Sequence, residues 1–337
     1  MDLRSLLLSV QGGSGLASAM QTLLAQQKET WQLCSDGYRS LERVEVRTFQ
    51  FDGFRILVQH NPGRIISSTA KVDAHSIQAR PCFLCAQNLP QPQRGLLYET
   101  DFLILCNPFP ILPHHFTIVH RDHRPQQIQG FLPPMLHLAK DLRGAFTVIY
   151  NGPRCGASAP DHLHFQAGDR DFMPVQSELA RLAGLTDRLI IDSHRVRIFA
   201  GEDNLRPWIL VVSPNEVAMI EWMENCIEAM REVFRTEEEP MMNLLCWYDD
   251  DGWRLVVFPR AVHRPSFYFG EGERKILISP AAVDLGGVCI VPRKEDFDKI
   301  TADHLTEMFE EVMISREQFG HVKERIATFS RRGQDTH

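Results

Sequence analysis

The chain has 337 residues, 44% of them hydrophobic and 23% charged, with a formal net charge of -7 at pH 7. That length suits two ordinary domains or one domain built from two similar halves, and the composition is that of a soluble globular protein. The acidic balance speaks against a nucleic-acid partner, which requires a basic surface to neutralise phosphates. The opening MDLRSLLLSVQGGSG carries an apolar run too short for a signal-peptide core, and no stretch approaches the roughly 20 apolar residues of a membrane span. No membrane contact and a cytoplasmic location are expected.

Residues 15–31, GLASAMQTLLAQQKETW, place apolar side chains at helical spacing. VEVRTFQFDGFRILVQH, from Val44, reads as two strands joined at Asp52-Gly53, a strong hairpin signal. The polar, turn-rich NPGRIISSTAKVDAHSIQARPCFLC follows, then strands in FLILCNPF and HFTIVH, a helix from Pro133 to Leu142 and a strand in AFTVIYN. A Gly/Ser loop leads to a strand over residues 162–167. Beyond Gly168 the pattern predicts a helix near Val175 to Leu185, strands near Arg188 to Phe199 and Trp208 to Val212, and a helix from Glu216. A hairpin around DDDG in NLLCWYDDDGWRLVVFP and a final helix from about Ala302 to Ser330 complete the chain. The tripeptide HRP closes both TIVHRDHRP and VVFPRAVHRP, a weak sign of an internal repeat. The expected division is an N-terminal half, 1–170, carrying the chemistry, and a C-terminal half, 171–337, which is a degenerate repeat without His-x-His.

The stretch GASAPDHLHFQAG, Gly156 to Gly168, carries the strongest functional signal. On a strand, His162, His164 and Gln166 share one face while Leu163 and Phe165 turn into a core. An isolated His-x-His is more often a pair of hydrogen-bonded histidines on a half-buried strand. Here a Gly/Ser loop precedes it, whose backbone N–H groups could cradle an anion, and a glutamine follows. Together they offer donors for phosphate oxygens and a neutral imidazole to attack phosphorus.

Eight cysteines are scattered along the chain, and only Cys82 and Cys85 stand close together. Free thiols in a reducing compartment are expected. Cys82-x-x-Cys85 is open to three readings: a zinc half-site, a redox pair or two buried small residues. For zinc, the further candidates are His123 and His162, giving a closed, structural Cys₂His₂ site. His114, His115, His120 and His263 read as surface or packing residues. Arg64, Lys71 and Arg80 form either a solvated basic face or the cations that an enzyme handling a polyphosphate needs.

NPFPILPHHFTIVHRDHRP followed by YNGPRCGASAPDHLHFQ resembles the histidine-triad superfamily in its transferase branch, which holds galactose-1-phosphate uridylyltransferase, diadenosine tetraphosphate phosphorylase and GDP-L-galactose phosphorylase. SSTAKVDAHSIQARPCFLC looks like a bacterial group within that branch. The resemblance implies an α+β fold, an antiparallel sheet with packed helices, in two related tandem halves. It implies that His164 takes the nucleotidyl group, that Gln166 binds its phosphate, and that Asn107 meets the ribose while Asn151, Gly156 and Ser158 line the phosphate. It implies structural Zn²⁺ on Cys82, Cys85, His123 and His162. The expected activity is a nucleotidyltransferase or phosphorylase acting on a nucleoside diphosphate sugar or a dinucleoside polyphosphate, with phosphate or a sugar phosphate as acceptor. The alternatives are a hydrolase of the same substrates and a silent nucleotide-binding zinc module. The sequence leaves room for a homodimer. Leu163 stands where the uridylyltransferase has proline, which weakens the case for that particular exchange. Gln166 stands where the hydrolase branch has a third histidine. An amide cannot shuttle a proton, so transfer is favoured over hydrolysis.

Overall fold

The computed structural model describes residues 7, 15–69, 73–182, 184, 186–202 and 205–334. Helix α1, Leu16–Thr30, buries Ala19, Met20, Leu23, Leu24 and Gln27, one stripe at helical spacing. The backbone extends at Trp31 and a second helix, α2 (Gln32–Leu41), starts at once, beyond the single predicted helix. Gly37 lets α2 lie against the loop at Pro108, whose carbonyl oxygen would sit 2.0 Å from any Cβ there. The predicted hairpin forms from β1 (Glu45–Phe51) and β2 (Phe54–His60), with Gly53 at φ 77° in its turn.

Ten strands make one antiparallel sheet. The first five are β3 (Gly95–Tyr98), β4 (Phe102–Cys106), β5 (His115–His120), β6 (Phe146–Asn151) and β7 (His164–Asp169), with helix α3 (Leu132–Asp141) between β5 and β6. After helix α4 (Val175–Leu182) come β8 (Leu189–Asp192), β9 (Arg197–Gly201), β10 (Trp208–Ser213), helix α5 (Glu216–Phe234), β11 (Met242–Asp249) and β12 (Gly252–Pro259). Their spatial order is β3-β4-β5-β7-β6-β11-β12-β10-β9-β8. Each set of five therefore repeats one topology, with a helix after its third strand, and the sets meet where β6 pairs β11. The fold is the expected α+β arrangement in tandem halves. HRP does not mark equivalent places in it. His123-Arg124-Pro125 follows β5, whereas His263-Arg264-Pro265 follows β12, and β12 corresponds to β7. The shared strand order, and not the tripeptide, carries the repeat.

One sheet face is covered by α1, α3, α5 and α9 (Arg316–Gln334), which share a single apolar core. The opposite face is covered over the second half by α4, by α6 (Ala282–Leu285) and by α8 (Ala302–Val312). There too lies a small sheet, β1-β2-β13, in which β13 (Val288–Val291) runs parallel to β2. Over the first half that face carries the cysteine loop and is otherwise open at the strand bearing His164. The predicted final helix is two, α8 and α9, because Arg260 takes the end of the first: its Nε donates to the Val312 carbonyl at 3.1 Å. None of the eight cysteines is in a disulfide. Among the described residues no helix is long and apolar enough to cross a membrane.

Candidate active site

The histidine strand starts at His164, two residues later than predicted. The His162 N–H turns back to the Ala159 carbonyl at 3.1 Å and leaves the ladder. Both imidazoles still lie on the open face, while Leu163 and Phe165 enter the core under the helices.

His162 belongs to a cluster with Cys82, Cys85 and His123 whose donor atoms all lie within 4.8 Å of one another. Its Nδ1 is 3.3 Å from Cys82 Sγ and 3.6 Å from Cys85 Sγ, and His123 Nδ1 is 3.3 Å from Cys85 Sγ. Its Nε2 donates to the His120 carbonyl at 2.7 Å, which fixes the tautomer and leaves Nδ1 bare for a metal. Two sulfurs and two imidazole nitrogens at this spacing form a group that can bind a metal ion. In the absence of an ion, burial and the neighbouring Cys82 push the Cys85 thiol up to about 11.

The His162 backbone also serves the next histidine. Its carbonyl, 2.8 Å from His164 Nδ1, can only accept, so Nδ1 carries the proton and Nε2 holds the lone pair. Burial pushes His164 down to about 4, so the ring is neutral. The strand end is held by Gln126, a residue that no local pattern singled out. Its amide nitrogen donates to the carbonyls of Asn151 at 2.9 Å and His164 at 3.0 Å, while its oxygen accepts the His164 N–H at 2.8 Å. The ladder between β6 and β7 ends at Ile149 and Gln166. Beyond that point the side-chain amide takes the place of a peptide between the diverging strands.

Gln166 has a partner as well. His115, fully buried and read from the sequence as a packing or surface residue, accepts the Ile111 N–H on Nδ1 at 3.2 Å. Its proton is therefore on Nε2, which donates to Gln166 Oε1 at 2.7 Å. The glutamine oxygen is occupied, so what Gln166 has to offer the cavity it lines is its NH₂. Burial first, and then the charge of Arg64, push His115 down to about 3.

A cavity of about 650 Å³ opens over this strand, lined by both His164 and Gln166 and also by Asn107, Arg64, Arg80 and Ser158. Trp31, Leu33, Phe83 and Phe109 add apolar wall to it. Asn107 is held by its own turn, its Oδ1 accepting the Phe109 N–H at 2.9 Å. Arg64 donates to the Phe109 carbonyl at 2.8 Å. Arg80 pairs with Asp161 at 2.9 Å and covers the Phe83 ring. Gly156 and Asn151 line a second, smaller cavity, which Ser158 shares. Gly156 has φ 111°, and a Cβ there would meet Ala281 at 2.5 Å. Among the described residues the N–H groups of Gly156, Ala157 and Ser158 enter no backbone hydrogen bond. Asn151 departs from its expected role in part, because its Oδ1 accepts from Asn243 at 2.8 Å and from the Ala282 N–H at 2.9 Å, tying the two halves together. Lys71 lies outside the described residues.

Residues 208–332 match the family model of the GDPGP1-like C-terminal domain, and residues 23–169 match that of a domain of unknown function, DUF4922. No curated protein matches the sequence. Among solved structures, yeast Ap4A phosphorylase Apa2 is similar over 90% of this chain and 95% of its own, with a TM-score of 0.60 at 15% identity. Its complex with AMP gives 0.59 at 16% identity over 88% and 96% of the two chains. The complex with Ap4A gives 0.58 at 15% over 88% and 97%. At such identities the likeness is one of fold, and it extends over both halves. Residues 208–332 are thus similar to the GDPGP1-like C-terminal domain, and the chain as a whole shares the fold of yeast Ap4A phosphorylase Apa2.

Proposed function

We propose that the protein transfers a nucleoside monophosphate group from a nucleoside diphosphate sugar or a dinucleoside polyphosphate to phosphate or a sugar phosphate, by way of His164. The observation that carries this reading is the setting of the His164 ring, with Nδ1–H bound to the His162 carbonyl and Nε2 left as its nucleophilic atom. In the first step Nε2 bonds to the α-phosphorus and the bond from phosphorus to the leaving phosphate oxygen breaks, its electron pair staying on that oxygen. In the second an acceptor oxygen bonds to phosphorus and the P–N pair returns to Nε2. Neither displacement needs a proton carrier, which suits Gln166 at the third motif position. The Gln166 NH₂ and the N–H groups from Gly156 to Ser158 stabilise the charge that grows on the phosphoryl oxygens. The apolar walls of the large cavity take the base, Asn107 the ribose, and Arg64 and Arg80, with Lys71, the remaining phosphates. Solved structures of the yeast phosphorylase bear the names of AMP and Ap4A, ligands of the class assigned to this cavity.

Zinc suits the Cys82, Cys85, His123 and His162 group, whose four donors leave no position for substrate, so its part is structural. The division of the chain near residue 170 is proposed as the boundary between the two repeated units. The test is a screen of nucleotide sugars and dinucleoside polyphosphates with inorganic phosphate, following release of nucleoside diphosphate. No product from any member of these classes would overturn the reading.

The partnership of His115 with Gln166 adds a sharper expectation. Gln166→Ala slows the chemical step by about 10²- to 10³-fold, the worth of one oxyanion donor. His115→Phe leaves the glutamine free to flip its amide and costs about tenfold in kcat, the scale of one hydrogen bond. Because the histidine acts only through the glutamine, the double variant should be no slower than Gln166→Ala alone. Losses that simply add would show that His115 acts by another route.

A further inference from the structure

Beside the nucleotide cavity lies the smaller one, of about 50 Å³, and the two share the walls made by Arg64, Ser158 and Gln166. His164 lines only the larger, and His263, Arg264 and Ser279 line only the smaller. An in-line displacement needs entering and leaving atoms on opposite sides of phosphorus, and two adjoining cavities, one lined by the imidazole and the other by side chains from the second half of the chain, supply a place for each.

The small pocket has the chemistry of an anion site. Arg264 is held in place, its Nε donating to Ser279 Oγ at 2.9 Å, its Nη2 to the Ser68 carbonyl at 3.4 Å, and its plane resting 4.3 Å from the Tyr268 ring centre. Ser279 Oγ thus accepts from arginine, and its own proton can go to His263 Nε2 or to a ligand. His263 lies 3.5 Å from the same oxygen. Burial, then the positive charges of Arg264 and Arg260, push His263 down to about 3, and of these causes only the two arginines attract a negative ligand. The one opposing charge is Asp284, whose carboxylate accepts the N–H groups of Ala281 and Ile290 at 2.9 Å each and which burial pushes up to about 6. Two arginines of the lining, Arg64 and Arg264, outweigh it, and the charge of Arg260 behind the wall acts in the same sense. At roughly 10–15 Å³ per water, the volume has room for on the order of four waters, the space of one tetrahedral oxyanion.

We propose that this pocket is the phosphate subsite of the transfer: it holds the terminal phosphate of the sugar phosphate or nucleotide that departs when His164 takes the nucleotidyl group, and then the phosphate that attacks the nucleotidyl-histidine. Both displacements run along the same line through phosphorus, so one subsite serves both. The degenerate half of the chain would then hold no nucleophile but half of the active centre. The inference rests on the proposed transfer, and its test is chosen to stand apart from it.

Inorganic phosphate is titrated calorimetrically into the full-length protein without nucleotide, in wild type, Arg264→Gln and Ser279→Ala. Wild type binds phosphate, and Arg264→Gln weakens it by about 10- to 100-fold, the loss of a charge-assisted contact, while affinity for a nucleoside monophosphate is kept. Ser279→Ala, which leaves the arginine in place, weakens phosphate by about 2- to 10-fold and decides the matter if the arginine variant does not fold. No phosphate binding by wild type, or equal binding by the variants, overturns the subsite whether or not His164 is ever labelled. Loss of phosphate together with an unlabelled His164 keeps the anion site and removes the transfer reading instead. Equal losses of phosphate and nucleoside monophosphate would mean that Arg264 serves the whole cavity and would overturn a separate subsite.

Discussion

Replacing His164 by alanine should remove turnover by a factor on the order of 10⁴ or more, the cost of deleting a covalent nucleophile rather than one of its helpers. The side chain is buried and its Nδ1–H is bound to the His162 carbonyl, so the ring contributes a single reactive atom, Nε2. Without it the nucleotide still meets the N–H groups of the Gly156 to Ser158 loop and the Gln166 amide, so binding should persist while chemistry stops. Incubating wild type with a labelled nucleotide in the absence of acceptor should label one histidine, and His164→Ala should stay unlabelled. Two in-line displacements invert phosphorus twice, so a chiral substrate should give net retention and steady-state kinetics should be ping-pong. Net inversion, or an active enzyme in which no histidine is labelled, would sink the mechanism.

Why one part of this site could be read along the chain and another could not follows from how far apart its members lie. His164 and Gln166 announce themselves because a strand puts alternate residues on one face, and Cys82 and Cys85 because only two residues separate ligands that share a loop. The partners that set their geometry come from far away. Gln126 is 38 residues from His164, and His115 is 51 from Gln166. A glutamine that imitates a peptide between two diverging strands has no periodicity, and a buried histidine that orients an amide looks like any packing histidine. Likewise His263 and Arg264 gain meaning only when β12 ends beside the loop after β6, because β6 and β11 join the two halves. The strands of the large sheet were legible as strands alternating with helices, apart from the short β3, but their order was not, and HRP pointed to the wrong pair of strands. Helix ends were missed where a tertiary contact decided them, as at Val312, whose carbonyl is taken by Arg260.

The metal cluster gives the second large effect, and it falls on stability. Purified protein should contain about one zinc per chain, since the four donors form one tetrahedral set. Three of the four side chains, Cys82, Cys85 and His162, are buried, and the cysteine loop has few other apolar contacts: Leu84, Leu89 and Ala159 against Leu103, Leu105 and Val119. Binding free energy at such a site is folding free energy, so chelation or Cys82→Ser should lower the melting temperature by on the order of 10 °C, at about 2–4 °C per kcal/mol for a chain of this size or somewhat smaller. Chemistry should fail later than stability, because the ion itself has no open position for substrate. The link between them is the His162 backbone: the residue whose Nδ1 faces the cysteines is the one whose carbonyl holds the His164 proton. A chelated sample that is still folded should therefore keep its transfer rate at first and lose it as the loop before β7 loosens, with thiol reagents reaching Cys82 and Cys85 over the same range. Metal-free protein with both cysteines freely reactive in the folded state would remove the zinc assignment and leave His164 as the nucleophile.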